Sequence, residues 1–147
     1  MTNDAKSPRA RFGMELVVVA RQWRRALDRQ LAAVGLTDAT WAPLVHLKEA
    51  GGGISQKELA ALAGIDGSSL VRLLDVLEGR GLVERRIDEA DRRARRLHLT
   101  ARGEEAVRKI RRLLKSAEQT LLADLGDEEV AALTDGLAIL RQRLERA

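Results

Sequence analysis

The chain has 147 residues, 45% hydrophobic, 33% charged and 2% aromatic, with a net charge of +4, two His and no Cys. That is about one ordinary domain, able to bury a core but without the groups for disulfides, thiolate chemistry or a His-based metal cluster. No apolar run nears the roughly 20 residues a bilayer needs and no leader pattern opens the chain, so it reads as cytoplasmic, with no membrane partner and no cofactor.

Residues 1–9 are polar and contain Pro8, which predicts a frayed start. Over 10–34 the apolar positions Leu16, Ala20, Trp23, Leu27, Leu31 and Val34 recur every three or four residues, with Arg21, Arg24, Arg25, Asp28 and Arg29 between them. That pattern predicts an amphipathic first helix ending near Gly35. A second helix is predicted over 37–50, capped by Thr37 and stopped by the glycines at 51–53. Ser55-Gln56-Lys57-Glu58 has the spacing of a capping box, so a third helix starts at Ser55. Asp66 caps a fourth, which turns Leu70, Leu73, Leu74 and Leu77 inward and ends between Gly79 and Gly81.

The period then changes. Residues 82–87 and 95–100 are compatible with strands, Leu97 and Leu99 alternating with Arg96 and His98, and 88–94 form a polar hairpin tip. Thr100 caps a fifth helix with a seam at Val107, Ile110, Leu114, Ala117, Leu121 and Leu125. A sixth follows the acids at 127–129, which suit a helix N-terminus, and its seam is Val130, Leu133, Leu137, Leu140 and Leu144.

Residues 55–100 carry the functional signal. Two short helices are joined through Ala63-Gly64-Ile65, with small Ala60 before the turn and apolar Leu70 after it. A helix-turn-helix needs those types: a small residue for a close crossing, Gly for positive φ, and an apolar seal beneath. The hairpin that follows is basic. Residues 80–100 hold seven Arg against four acids, whereas 41–79 hold three Lys/Arg against five acids and 101–147 hold nine of each. Helix, turn, helix and basic wing in that order point to nucleic-acid contact.

Ser68, Ser69 and Arg72 lie opposite Leu70, Leu74 and Leu77 on the fourth helix. They are predicted to face the major groove, Arg72 as a bidentate donor to guanine; its plain alternative is an i,i+3 pair with Asp75. The start of the third helix, Ser55 and Gln56, offers N–H groups to a backbone phosphate. Arg85, Arg86, Arg92, Arg95 and Arg96 are predicted to supply charge to phosphates, some of them simply solvated.

The string Asp91-Arg92-Arg93-Ala94-Arg95-Arg96-Leu97-His98-Leu99-Thr100, followed by Ala101-Arg102-Gly103, resembles the D-R-R-x-x-x-x-x-L-T-x-x-G wing signature of MarR-family transcriptional regulators. Ser69-Leu70-Val71-Arg72-Leu73-Leu74-Asp75-Val76-Leu77-Glu78, followed by Gly81-Leu82-Val83, resembles that family's recognition helix and its exit. Arg21-Gln22-Trp23 and Trp41 are similar to its SlyA-type branch. The resemblance spans about residues 10–146. It implies a mainly α fold with a small β-wing (α+β) in a single domain over 1–147. Within it, a winged helix-turn-helix lobe occupies 37–100, with the wing at about 82–100, and dimerisation helices occupy 10–34 and 101–147.

The same resemblance implies a homodimer on a palindromic double-stranded DNA operator, acting as a repressor released by a small aromatic carboxylate. It implies that Arg93 enters the minor groove while Asp91 orients its guanidinium. It also implies an effector site where Arg21 pairs with the carboxylate, Trp23 and Trp41 supply aromatic surface and His46 hydrogen-bonds the ligand. The SlyA-type pattern has its His four residues after the Trp, whereas His46 follows Trp41 by five.

Two other readings stand beside this one. A helical protein-interaction adaptor with a degenerate winged domain predicts no salt-dependent DNA affinity, and a MarR-like anti-silencing activator predicts no ligand. No enzyme is expected, because the chain offers no Gly-rich phosphate loop and no nucleophile with an adjacent base.

Overall fold

The computed structural model describes residues 7–36 and 40–147. In chain order these form helices α1 (Pro8–Ala32), α2 (Trp41–Glu49), α3 (Gln56–Ala63) and α4 (Gly67–Gly79). Strands β1 (Val83–Ile87) and β2 (Arg95–Leu99) follow, then helices α5 (Ala101–Leu121) and α6 (Asp127–Glu145). The order matches the sequence reading, and the mainly α fold with a small antiparallel wing is what the structure has.

The helix ends show where local chemistry decides. α1 starts at Pro8, earlier than the frayed terminus predicted: proline's fixed φ suits a first helical position, and the Ser7 hydroxyl accepts from the Ala10 N–H at 3.1 Å. The expected cap Thr37 lies outside the described residues, and Thr40 stands at the N-cap of α2. Ser55 caps α3, its Oγ accepting from the Glu58 N–H at 3.1 Å. That helix ends on Gly64 in the left-handed region, φ 66°, the turn conformation for which glycine carries no Cβ penalty.

β1 and β2 pair with Val83 opposite Leu99, Arg85 opposite Leu97 and Ile87 opposite Arg95. A bridge absent from the sequence reading extends this sheet. Ile54 pairs with Leu97: the Gly53 N–H donates to the Leu97 carbonyl and the Leu97 N–H to the Ile54 carbonyl, each at 2.8 Å. A single apolar residue between Gly53 and Ser55 has no period to betray it.

The core of the lobe lies where α2, α3 and α4 pack on each other and on the strands. Leu44, Leu59, Leu70, Leu74, Leu77 and Leu97 are fully buried there, each worth roughly 1.5–3 kcal/mol against exposure. The start of α5 is clamped to the exit of α4. Thr100 Oγ1 donates to the Gly81 carbonyl at 2.6 Å and accepts from the Gly103 N–H at 3.0 Å. A Cβ on Gly103 would fall 2.0 Å from the Leu82 carbonyl oxygen. The Thr and Gly that close the wing signature are thus packing residues.

The described chain divides into two compact units, the first ending at Leu114 and the second beginning at Lys115, inside α5. In the first, α1 buries Leu27 and Leu31 near its C-terminal end and exposes Phe12, Met14, Val17 and Val19 near its start. In the second, α6 buries no residue and exposes Leu133, Leu137, Ile139 and Leu144.

Candidate nucleic-acid interface

The recognition helix α4 is set by its cap. Asp66 accepts from the Ser69 N–H at 2.9 Å, from the Ser68 hydroxyl at 2.6 Å and from the Ser69 hydroxyl at 2.8 Å. These bonds, the Ser68 hydroxyl foremost, hold the Asp66 carboxyl well below the usual carboxylate range. Ser68 and Ser69 are exposed as predicted, but their hydroxyl protons are committed to the cap, so toward DNA they present lone pairs. Arg72 is exposed, and the alternative pair with Asp75 is not formed. Asp75 pairs instead with Arg85 of β1 at 3.2 Å.

The arginines of the wing separate into two groups. Arg85 lies 3.2 Å from Asp75 and 3.6 Å from Glu78. Arg86 pairs with Glu84. Arg96 donates through Nε to Asp88 at 3.0 Å and lies 3.7 Å from Glu58. Asp88 in turn is held below its ordinary pKa, first by the Ala90 N–H and then by Arg96. These three were expected to meet phosphates, and the structure engages each with acids of the protein itself.

Arg95 donates to the carbonyls of Arg92 and Ala94, at 3.1 and 3.4 Å, and among the described residues no acid neutralises its charge. Arg92 and Arg93 are exposed at the hairpin tip, and among the described residues neither side chain has an ion pair. Asp91 serves Arg93 differently from expectation: its Oδ1 accepts from the Arg93 backbone N–H at 3.1 Å. The aspartate shapes the turn from which the guanidinium projects and does not bind the guanidinium itself. Ser55 and Gln56 sit half-buried at the start of α3, where the first N–H groups have no i−4 carbonyl partner.

The residues expected at an effector site diverge. Trp41 is 6% exposed, its Nε1 donates to Asp28 at 2.8 Å, and the Arg24 guanidinium lies 4.6 Å from the centre of its ring. It is a core residue whose N–H and one face are already used within the protein. Arg21 is exposed without an ion pair among the described residues, while Trp23 and His46 are half-buried. Among the described residues no group of three His, Asp or Glu side chains is placed to hold a metal ion, and no helix is long and apolar enough to cross a membrane.

The MarR family model matches residues 34–94, the helix-turn-helix and most of the wing. The transcriptional regulator PA3341 is 35% identical, with 92% of this chain and 99% of that one covered at a TM-score of 0.83. A cysteine-to-serine mutant of MarR from E.coli, crystallised with operator DNA, is 28% identical over 87% of this chain and 91% of its own, TM-score 0.76. CouR from Rhodococcus jostii RHA1, crystallised with p-coumaroyl-CoA, is 29% identical over 90% and 92%, TM-score 0.75. With these matches running through the lobe and beyond it at both ends, the chain belongs to the MarR family of DNA-binding transcriptional regulators.

Proposed function

We propose that the protein is a repressor that binds a palindromic operator as a homodimer, α4 in the major groove and Arg93 in the adjacent minor groove. One observation carries this reading: Arg72 on α4 and Arg92 and Arg93 at the hairpin tip are exposed cations with no ion pair among the described residues. A narrow minor groove attracts such an arginine, and a major-groove guanine accepts two bonds from one. The MarR mutant solved with operator DNA supports the use of this lobe on duplex DNA. The apolar faces of α1 and α6 supply the surface for a two-fold dimer, whose symmetry suits an inverted repeat.

Selection of bound fragments from random duplexes tests the reading. An enriched inverted repeat, with transcription from a promoter carrying it falling as protein is added, is the expected outcome. Enrichment of a single unrepeated site, or of no site, overturns the dimeric operator reading. An effector is favoured by Arg21, exposed and without an ion pair among the described residues, and by CouR, which was crystallised with the aromatic acyl thioester p-coumaroyl-CoA. Its place is then at Arg21, with Trp23, Trp41 and His46 as the further candidates. Release of the operator by hydroxycinnamates in the wild type but not in Arg21→Ala is expected; equal response of both proteins excludes Arg21.

A further inference from the structure

We propose that Arg85 and Arg96 are positioning residues that fix the wing against the helix-turn-helix, and so confer operator discrimination without touching DNA. The inference rests on the DNA-binding reading above and gives two of its arginines a different task. They tie the hairpin at two places, one on each strand. Arg85, on β1, spans Asp75 and Glu78, which stand one turn apart on α4, with its Nη2 and Nη1 at 3.2 and 3.6 Å. Its side chain is 26% exposed, and its Nε is buried without a hydrogen bond, so the guanidinium faces the protein and not the solvent. Arg96, on β2, reaches Asp88 at 3.0 Å, Glu58 of α3 at 3.7 Å and the Gly53 carbonyl at 3.4 Å.

An arginine already neutralised by two carboxylates brings little net charge to a phosphate and so releases few of the counterions condensed on the DNA. Its contribution is geometric. An operator must be met by α4 and by the hairpin tip together, and a wing held in place loses less freedom on binding. Random duplexes, bound through charge alone, ask nothing of that geometry. A planar fork can span two acids at once where an ammonium cannot, so the lysine variant separates position from charge.

The test titrates wild type, Arg85→Lys and Arg96→Lys against operator and scrambled duplexes at three salt concentrations, with circular dichroism to establish folding. Each lysine variant is expected to lose about tenfold on the operator, a difference of about 1.4 kcal/mol, to stay within twofold on scrambled DNA, and to keep the wild-type salt slope. Operator affinity within twofold of wild type, or equal losses on both duplexes, overturns the proposal. Should one variant not fold, the other, on the opposite strand, decides alone. Amide exchange across residues 88–94 supplies a readout without DNA. Faster exchange in both variants supports the ties, and unchanged exchange contradicts them. A wild type that binds no duplex while its variants exchange faster removes the DNA-binding reading and leaves the ties standing.

Discussion

Asp91 accepts a hydrogen bond from the backbone N–H of Arg93 at 3.1 Å, and so sets the direction of a side chain it does not touch. An Asx turn of this kind needs an acceptor, not a charge. Asp91→Asn is therefore expected to bind the operator within about threefold of wild type, while Asp91→Ala falls toward, but not as far as, Arg93→Ala. Equal losses in the Asn and Ala variants would mean that the carboxylate charge acts on the guanidinium after all.

Arg72 projects from the outer face of α4 with Asp75 drawn away by Arg85. If it reads a guanine, Arg72→Ala costs about 1–3 kcal/mol on the operator and relaxes the preference at one position per half-site. Repeating the random-duplex selection with the variant checks this. A binding-site pattern identical to that of wild type contradicts the major-groove role.

Gly103 has no room for a methyl group against the Leu82 carbonyl. Gly103→Ala is expected to lower stability by about 1–3 kcal/mol, the usual range for overpacking, as read by urea unfolding. A variant as stable as wild type would show that the start of α5 moves freely away from the exit of α4.

Asp66 gives the lobe a pH dependence whose sign is fixed. Its carboxyl titrates lower in the folded protein than in the unfolded chain, where the value is about 3.8. The folded state therefore gains stability above that value and loses it as pH falls toward the folded pKa. Wild type should exceed Asp66→Asn in unfolding midpoint at pH 7, with the gap narrowing below about pH 5. A gap constant from pH 7 to pH 3 would contradict the ionised cap.

The exposed side chains Leu133 and Leu137 of α6 set the prediction for assembly. Wild type at micromolar concentration should sediment at about twice the 16.2 kDa of one chain. Leu133→Glu combined with Leu137→Glu should shift it toward the single chain. A wild type that sediments only as a 16.2 kDa species rules out the dimer.

The sequence was most informative where chemistry is local. Ser55, Asp66, Gly64 and Thr100 announce the helix ends because each satisfies or relaxes its own neighbouring backbone, and the alternation around Leu97 and Leu99 announces the wing. Contacts that depend on tertiary approach left no such mark. Ile54 joins the sheet only because the 51–53 turn brings it to Leu97. Arg85 and Arg96 read as two more charges in a basic run until the fold places Asp75, Glu78 and Glu58 beside them. Trp41 sits at a spacing that resembles a ligand-stacking aromatic, but Asp28 and Arg24, one helix away, have already claimed its polar edge and one face.

Titration of wild type, Arg93→Ala and Arg95→Ala against operator and scrambled duplexes at three salt concentrations bears most directly on how the lobe reads DNA. Arg95→Ala should weaken both duplexes alike and reduce the salt slope by about one contact per half-site. Arg93→Ala should lose more on the operator than on scrambled DNA, most of all where the flanks are A·T-rich. If Arg93→Ala weakens both duplexes equally, Arg93 does not enter the minor groove and serves only as part of a charged clamp.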